Sequence, residues 1–268
     1  MTTTSWRRLW LVVLVGLIAV WLLLPATVVL PMSLNATSRL SIWPEERSFD
    51  LYREFFADPE WTNALIRSFR TAAIVSVLAT VLGTAAALGI VRGFRRGAGI
   101  VNAVILAPII VPVVVAAVAS YLVYLRWGLV GTPLALIVAH TCLAIPYVVV
   151  TVLASLRGVN PRLESAARSL GSSPAGAVWH VTLPLIRGGV IVGAFLAFMQ
   201  SFDEVVVSVF LASRRGRTLP VQMYSSLIED IDATVAVASS VILVLSIVLV
   251  LLVGVSRLAN ARGQSGTP

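Results

Sequence analysis

The chain has 268 residues, is 58% hydrophobic and only 12% charged, and carries a formal net charge of +8. A soluble domain has about 25% charged residues, so this balance, with a mean hydropathy of +0.95, marks lipid as the main solvent. All 20 basic residues are arginine, so the chain has no P-loop lysine with which to hydrolyse ATP; the lone Cys142 excludes an intrachain disulfide and the two histidines argue against a metal cluster.

A membrane helix needs about 20 mostly apolar residues. That ruler predicts six spans in chain order, at about 9–32, 68–91, 99–125, 130–156, 185–212 and 234–256. Arg7 and Arg8 precede the first, but its apolar run continues past Leu24 to Met32, longer than the about 7–15 residues of a signal sequence. It reads as an uncleaved anchor. The chain then divides into an N-terminal transmembrane helix (1–32), an external loop rich in aromatics and acids (33–66), a core of five spans (67–257) and a polar tail (258–268), whose end from Ala261 to Pro268 is expected to be disordered.

Orientation follows from arginine in the short loops. With the N-terminus inside, eleven arginines are cytoplasmic (Arg7, Arg8, Arg92, Arg95, Arg96, Arg157, Arg162, Arg168, Arg187, Arg257 and Arg262) against one acid, Glu164. The outer side has nine arginines and nine acids. The basic charge is thus mostly topology, and no exposed basic stripe suggests nucleic acid.

The inner loop 157–184 is the most specific segment. From Asn160 it reads NPRLESAARSLGSSPAGAVWHVTLP. Leu163, Ala166, Ala167 and Leu170 recur at i, i+3, i+4 and i+7, one face of a short helix. Gly171 suits a left-handed helix end, Ser173-Pro174 restarts a second helix, and Pro184 closes the segment as the next span begins. The spacing alone leaves open whether this helix–turn–helix only packs on its own bundle.

The fifth span contains Gln200, Ser201, Phe202, Asp203 and Glu204. A carboxylate at mid-bilayer costs about 2.5–3.5 kcal/mol, so two adjacent ones should face the bundle interior or water. Gln200, Glu204 and Ser208 fall at i, i+4 and i+8 on a continuous helix, a polar stripe with Asp203 beside it. Either the acids pair with arginines such as Arg126 or Arg214, or are protonated in a polar helix contact, or they line a pathway for a cationic solute. Nothing in the sequence assigns a role to Trp179, His140 or His180.

The loop resembles the hallmark segment of permeases from binding-protein-dependent ABC importers, written E-A-A-x3-G-x9-I-x-L-P. Ser165, Ala166 and Ala167 fall on the first triplet, Gly171 on the glycine, Val181 on the isoleucine, and Leu183 and Pro184 on the last pair. Serine replaces the motif glutamate, and Glu164 stands one position earlier. The resemblance implies an all-α integral membrane protein of the type I permease fold, in a bacterial inner membrane, with both termini cytoplasmic. It implies a second permease subunit, two copies of an ATPase that carry the ATP and Mg²⁺, and an external solute-binding protein; this chain itself would bind no cofactor. Glu164, Ser165, Ala166, Ala167, Gly171, Leu183 and Pro184 would then couple to the ATPase. The runs from Ala139 to Leu211 and from Arg217 to Ser240 resemble permeases of spermidine/putrescine importers, which implies Asp203 and Glu204 as polyamine contacts; Gln200 and Ser208 join the expected pathway through the polar stripe. Permeases of the same layout serve ferric iron, thiamine or phosphonates. An ion-coupled carrier is a different class of reading, but no inverted repeat supports it.

Overall fold

The computed structural model describes residues 3–36, 41–93, 97–229 and 232–264. Arg39, Arg95, Arg96, Asp230 and the last four residues of the expected tail lie outside this set. The described residues are almost wholly helical, and they carry four helices long and apolar enough to cross a membrane, or six spans if each bent pair counts as one. Their contacts divide the chain into two compact units, residues 1–62 with 223–247, and residues 63–222 with 248–268. The expected core, 67–257, is therefore shared between the two.

In the first unit α1 (Thr3–Ser33) covers the predicted anchor, with a bend of 42° between Leu24 and Ala26. Its apolar side chains from Leu9 to Leu24 stand exposed, as a helix bathed in lipid or covered by another chain requires. The predicted external loop is folded. It forms α2 (Asp50–Ala57), and α3 (Pro59–Arg92) begins well before the predicted span. Phe55 is fully buried and packs on the rings of Phe56 and Trp61. The Tyr52 hydroxyl lies 2.8 Å from both Ser33 Oγ and Ser240 Oγ. One phenol thus ties α1 to α12 (Thr234–Gln264), which also runs into the segment expected to be disordered.

In the second unit two of the predicted spans are broken. The third divides into α4 (Ala98–Ile110) and α5 (Val113–Arg126), bent by 100°. Pro112 explains the break. It has no N–H to donate, and Val111 before it is pushed to the extended backbone observed, φ −69° and ψ 130°. The fourth is α6 (Pro133–Arg157), started by Thr132, whose hydroxyl accepts from Ala135 N, with Pro133 at the first turn. The fifth ends early. After α9 (Leu183–Phe202) the helix opens, then resumes as the short α10 (Val206–Leu211). A 3₁₀ turn (Arg214–Gly216) and α11 (Leu219–Glu229) follow.

The core of this unit is α6 against α9. A Cβ built on Gly189 would lie 2.7 Å from Ser155 Cβ and 2.8 Å from the Thr151 carbonyl. One built on Gly193 would meet Val148 Cα at 3.1 Å and Thr151 Oγ1 at 2.6 Å. On the other side of Val148, a Cβ on Gly83 of α3 would meet its Cβ at 2.7 Å. Small residues let helix backbones approach closely where lipid offers no hydrophobic drive to association. Val75, Ala79, Val148, Val152 and Ile186, all fully buried, fill the layer between.

Candidate functional site

The inner loop folds as two short helices and a wide turn. Asn160 Oδ1 accepts from Arg162 N to start α7 (Pro161–Ser169). Gly171 takes φ +95° at its end, a left-handed backbone at which a side chain is strained. Ser173 Oγ accepts from Gly176 N to open α8 (Pro174–Ala177). The next span begins at Leu183–Pro184, as expected, but without a break in the helix before it. A π-helical turn (Val178–Thr182) carries α8 straight into α9, making one span of 29 residues from Pro174 to Phe202. Pro184 has no N–H for the His180 carbonyl, and the wider turn absorbs that missing bond, with Leu183 N donating five residues back to Val178 O.

A polar knot holds this loop to the bundle. Arg92 Nη2, in the last turn of α3, lies 2.5 Å from Glu164 Oε2 and donates to Thr182 Oγ1 at 2.7 Å. The Thr182 hydroxyl donates to Glu164 Oε2 at 3.3 Å. Three segments thus meet at one carboxylate, which is turned to its own chain. Ser165 and Ala166 are exposed and Ala167 half-buried; Leu183 is half-buried and Pro184 exposed. Beside them Leu163, Leu170 and Trp179 expose 48%, 90% and 70% of their surface, an apolar cluster on a polar loop. His180 Nδ1 reaches the Gly176 carbonyl at 2.9 Å, a local tie within α8 and the π turn.

At the break between α9 and α10 the predicted polar stripe does not form. The stripe assumed an unbroken helix. Residues 203–205 interrupt it: Gln200 and Glu204 stay in contact, while Ser208 is turned to His140. Glu204, 8% exposed, caps α10: its Oε1 accepts from Val207 N at 2.9 Å, and Gln200 Nε2 donates to Oε2 at 3.4 Å. From the position before the N-cap Val205, this carboxylate accepts a first-turn N–H where the helix dipole favours it. Ser208 is fully buried and bonds to His140 Nε2 at 3.0 Å. His140 Nδ1 bonds to Ser201 Oγ at 2.9 Å. A single α6 imidazole, 1% exposed, therefore bridges the two sides of the break. A neutral imidazole has one donor and one acceptor, which matches two hydroxyls. Sequence pattern could not find this clamp, because His140 lies 61 and 68 residues from its partners. Asp203 is exposed, and neither Arg126 nor Arg214 forms an ion pair with either acid among the described residues.

Beyond α10 the chain is pinned to the start of α3. Arg67 Nε donates to the Arg217 carbonyl at 3.1 Å, and Leu219 N donates to Ser68 Oγ at 2.7 Å. Gly131 N donates to the Leu211 carbonyl at 2.9 Å, joining the loop before α6 to the same corner. No cluster of His, Cys, Asp and Glu among the described residues could hold a metal.

Comparison with known proteins agrees with this architecture. The family model for binding-protein-dependent transport system inner membrane components matches residues 79–259. A molybdenum transport system permease, ModB of Mycobacterium bovis, is 33% identical over 247 residues, covering 85% of this chain and 91% of that protein. The spermidine/putrescine transport system permease PotC of Escherichia coli K12 is also 33% identical, but over 132 residues, 49% of this chain and 50% of that one. Among solved structures, a bacterial ABC transporter that imports the acidic polysaccharide alginate aligns with a TM-score of 0.70 at 16% identity, covering 97% of this chain and 98% of its own.

Proposed function

The chain belongs to the binding-protein-dependent transport system inner membrane components, and from that premise we propose that it is the permease through which an ABC importer moves a small tetrahedral oxyanion, molybdate first among them. It is a multi-pass membrane protein and the permease subunit of such an importer. An external binding protein delivers the solute, a second permease completes the channel, and two ATPase subunits supply the work. With its N-terminus in the cytoplasm, the 160–184 segment faces the ATPase. Leu163, Ala166, Leu170 and Trp179 then form the apolar face that docks, Gly171 fixes the turn, and the Arg92–Glu164–Thr182 knot passes the displacement to α3 and α9.

One observation carries the choice of solute: the charge at the other end of the same unit. Between residues 63 and 222 the outer segments hold six arginines, Arg67, Arg70, Arg126, Arg214, Arg215 and Arg217, while the only acids there are Asp203 and Glu204. Even with both carboxylates counted as charged, arginine exceeds acid there by four, six against two. The outer side as a whole is balanced, so this is a local excess; within these segments it favours anions over polyamines, most strongly at low ionic strength. In oxygenated water molybdenum is a tetrahedral dianion, so the similarity along the length of ModB supports the same reading. A polyamine remains the second reading, favoured by the exposed and unpaired Asp203 and by the shorter match to PotC.

Proteoliposomes holding the assembled importer separate the two. Labelled molybdate should accumulate on ATP addition and spermidine should not, and Asp203→Asn should leave molybdate uptake little changed. Spermidine uptake that disappears in Asp203→Asn would replace the oxyanion with a polyamine.

A further inference from the structure

The corner where α3, α6 and the α10–α11 connection meet encloses a cavity of about 260 Å³. Arg67, Arg70 and Thr71 line one wall, at i, i+3 and i+4 of α3; Gly131 and Thr132 line a second and Ser213 a third. Ile74, Leu136 and Ile137 add an apolar part to its lining. From this arrangement we infer that the cavity is a binding site for one tetrahedral oxyanion group, and that Arg67 and Arg70 are the residues that hold it. The inference deepens the oxyanion reading above and rests on it.

Three observations converge. First, two guanidiniums line one small cavity and neither is ion-paired among the described residues. Arg67 is half-buried, and its Nε is already engaged by the Arg217 carbonyl, which fixes the plane of the group and leaves its terminal nitrogens for a ligand. A planar guanidinium recognises oxyanions by paired hydrogen bonds, whereas a cation would be repelled. Second, the walls are pre-set. The Leu219 N to Ser68 Oγ and Gly131 N to Leu211 O bonds pin two of the three walls before any ligand arrives. Gly131 has φ +85°, and a Cβ there would stand 3.5 Å from Ser213 Cβ across the mouth. Third, the 25-residue α6 starts at Thr132 and Pro133, so the positive end of its dipole adds to the arginines. The volume equals about nine waters at about 30 Å³ each, enough for an oxyanion that keeps part of its hydration.

The same chemistry is offered by a free oxyanion and by the phosphate of a lipid headgroup, whose acyl chain would suit the apolar part of the lining. The test uses the assembled importer in nanodiscs, one set purely zwitterionic and one containing phosphatidylglycerol, with molybdate as the soluble probe and no binding protein present. In zwitterionic discs molybdate should bind, Arg67→Gln and Arg70→Gln should each weaken it about tenfold, and Arg70→Glu should abolish it, the range of a lost charge-assisted hydrogen bond. Arg53→Gln, at an arginine paired with Asp50 and remote in sequence from the cavity, is the control and should change nothing. Binding only of phosphatidylglycerol, lost in Arg70→Glu, upholds the anion site with a lipid as its occupant. Equal binding in wild type and Arg70→Glu overturns it. The oxyanion reading fails separately: a spermidine-loaded binding protein, and not a molybdate-loaded one, would drive transport whatever Arg70 does.

Discussion

The two ends of the α6–α9 pair are held by different chemistry. At one end an ion pair with a hydroxyl beside it, Arg92, Glu164 and Thr182, ties the loop to α3, with both charged side chains partly exposed at 28% and 22%. At the other, His140 joins Ser201 to Ser208 in a site closed to water. Between them no polar tie is needed, because Gly189 and Gly193 bring the backbones together. A rigid middle with a charged knot at one end and a dry clamp at the other can pass a displacement along its length. The charged knot tolerates sliding in a polar setting, whereas the dry clamp holds one geometry, since a buried hydroxyl left without a partner costs free energy.

The rigid middle should be the most fragile of the three. Gly189→Val would press its side chain on Ser155 and the Thr151 carbonyl, and overpacking of this kind costs about 1–3 kcal/mol or more where backbone is struck. Most of the protein should then be lost from the monodisperse peak after detergent extraction. A normal yield would mean that the two helices are not packed as described.

The dry clamp comes next. His140→Ala strands two buried hydroxyls, each worth about 1–3 kcal/mol, so the melting temperature should fall, and His140→Gln should recover part of the loss. If alanine and glutamine melt alike, the bridge contributes nothing.

The charged knot should matter least for stability. A partly exposed pair contributes about 0–1 kcal/mol, so Glu164→Gln should melt within about 2–4 °C of wild type. Its effect should be on ATP-driven uptake instead, and a variant with full uptake would remove Glu164 from the transmission path.

The two ends also differ in what the sequence discloses. The inner loop is a local structure: its cap at Ser173, the glycine turn at Gly171 and the apolar face of α7 all sit within a few residues, where periodicity and turn chemistry can be read. Only the π turn escaped, because a continuous helix through Pro184 needs a wider hydrogen-bond ring that no short pattern announces. The outer end is built from distant residues. The hydropathy of 185–212 hides the break at 203–205, so Gln200, Glu204 and Ser208 look like one stripe when in fact one caps a helix and another binds His140. Likewise hydropathy carried the third span across Pro112 as one helix, where the chain bends by 100°. Lipid-exposed helices were legible from composition alone; the glycine contacts of Gly83, Gly189 and Gly193 were not, since their meaning depends on which face meets which neighbour.

The most direct test of the account joins both ends in one readout: ATP hydrolysis by the reconstituted importer, titrated with molybdate-loaded binding protein, in wild type and in Gly171→Trp. Wild type should be stimulated by the loaded protein, while the variant, inserted and assembled to the same level, should stay at its basal rate because the docking turn can no longer take φ +95°. Equal stimulation of the two would contradict the claim that this permease is driven through its 160–184 segment.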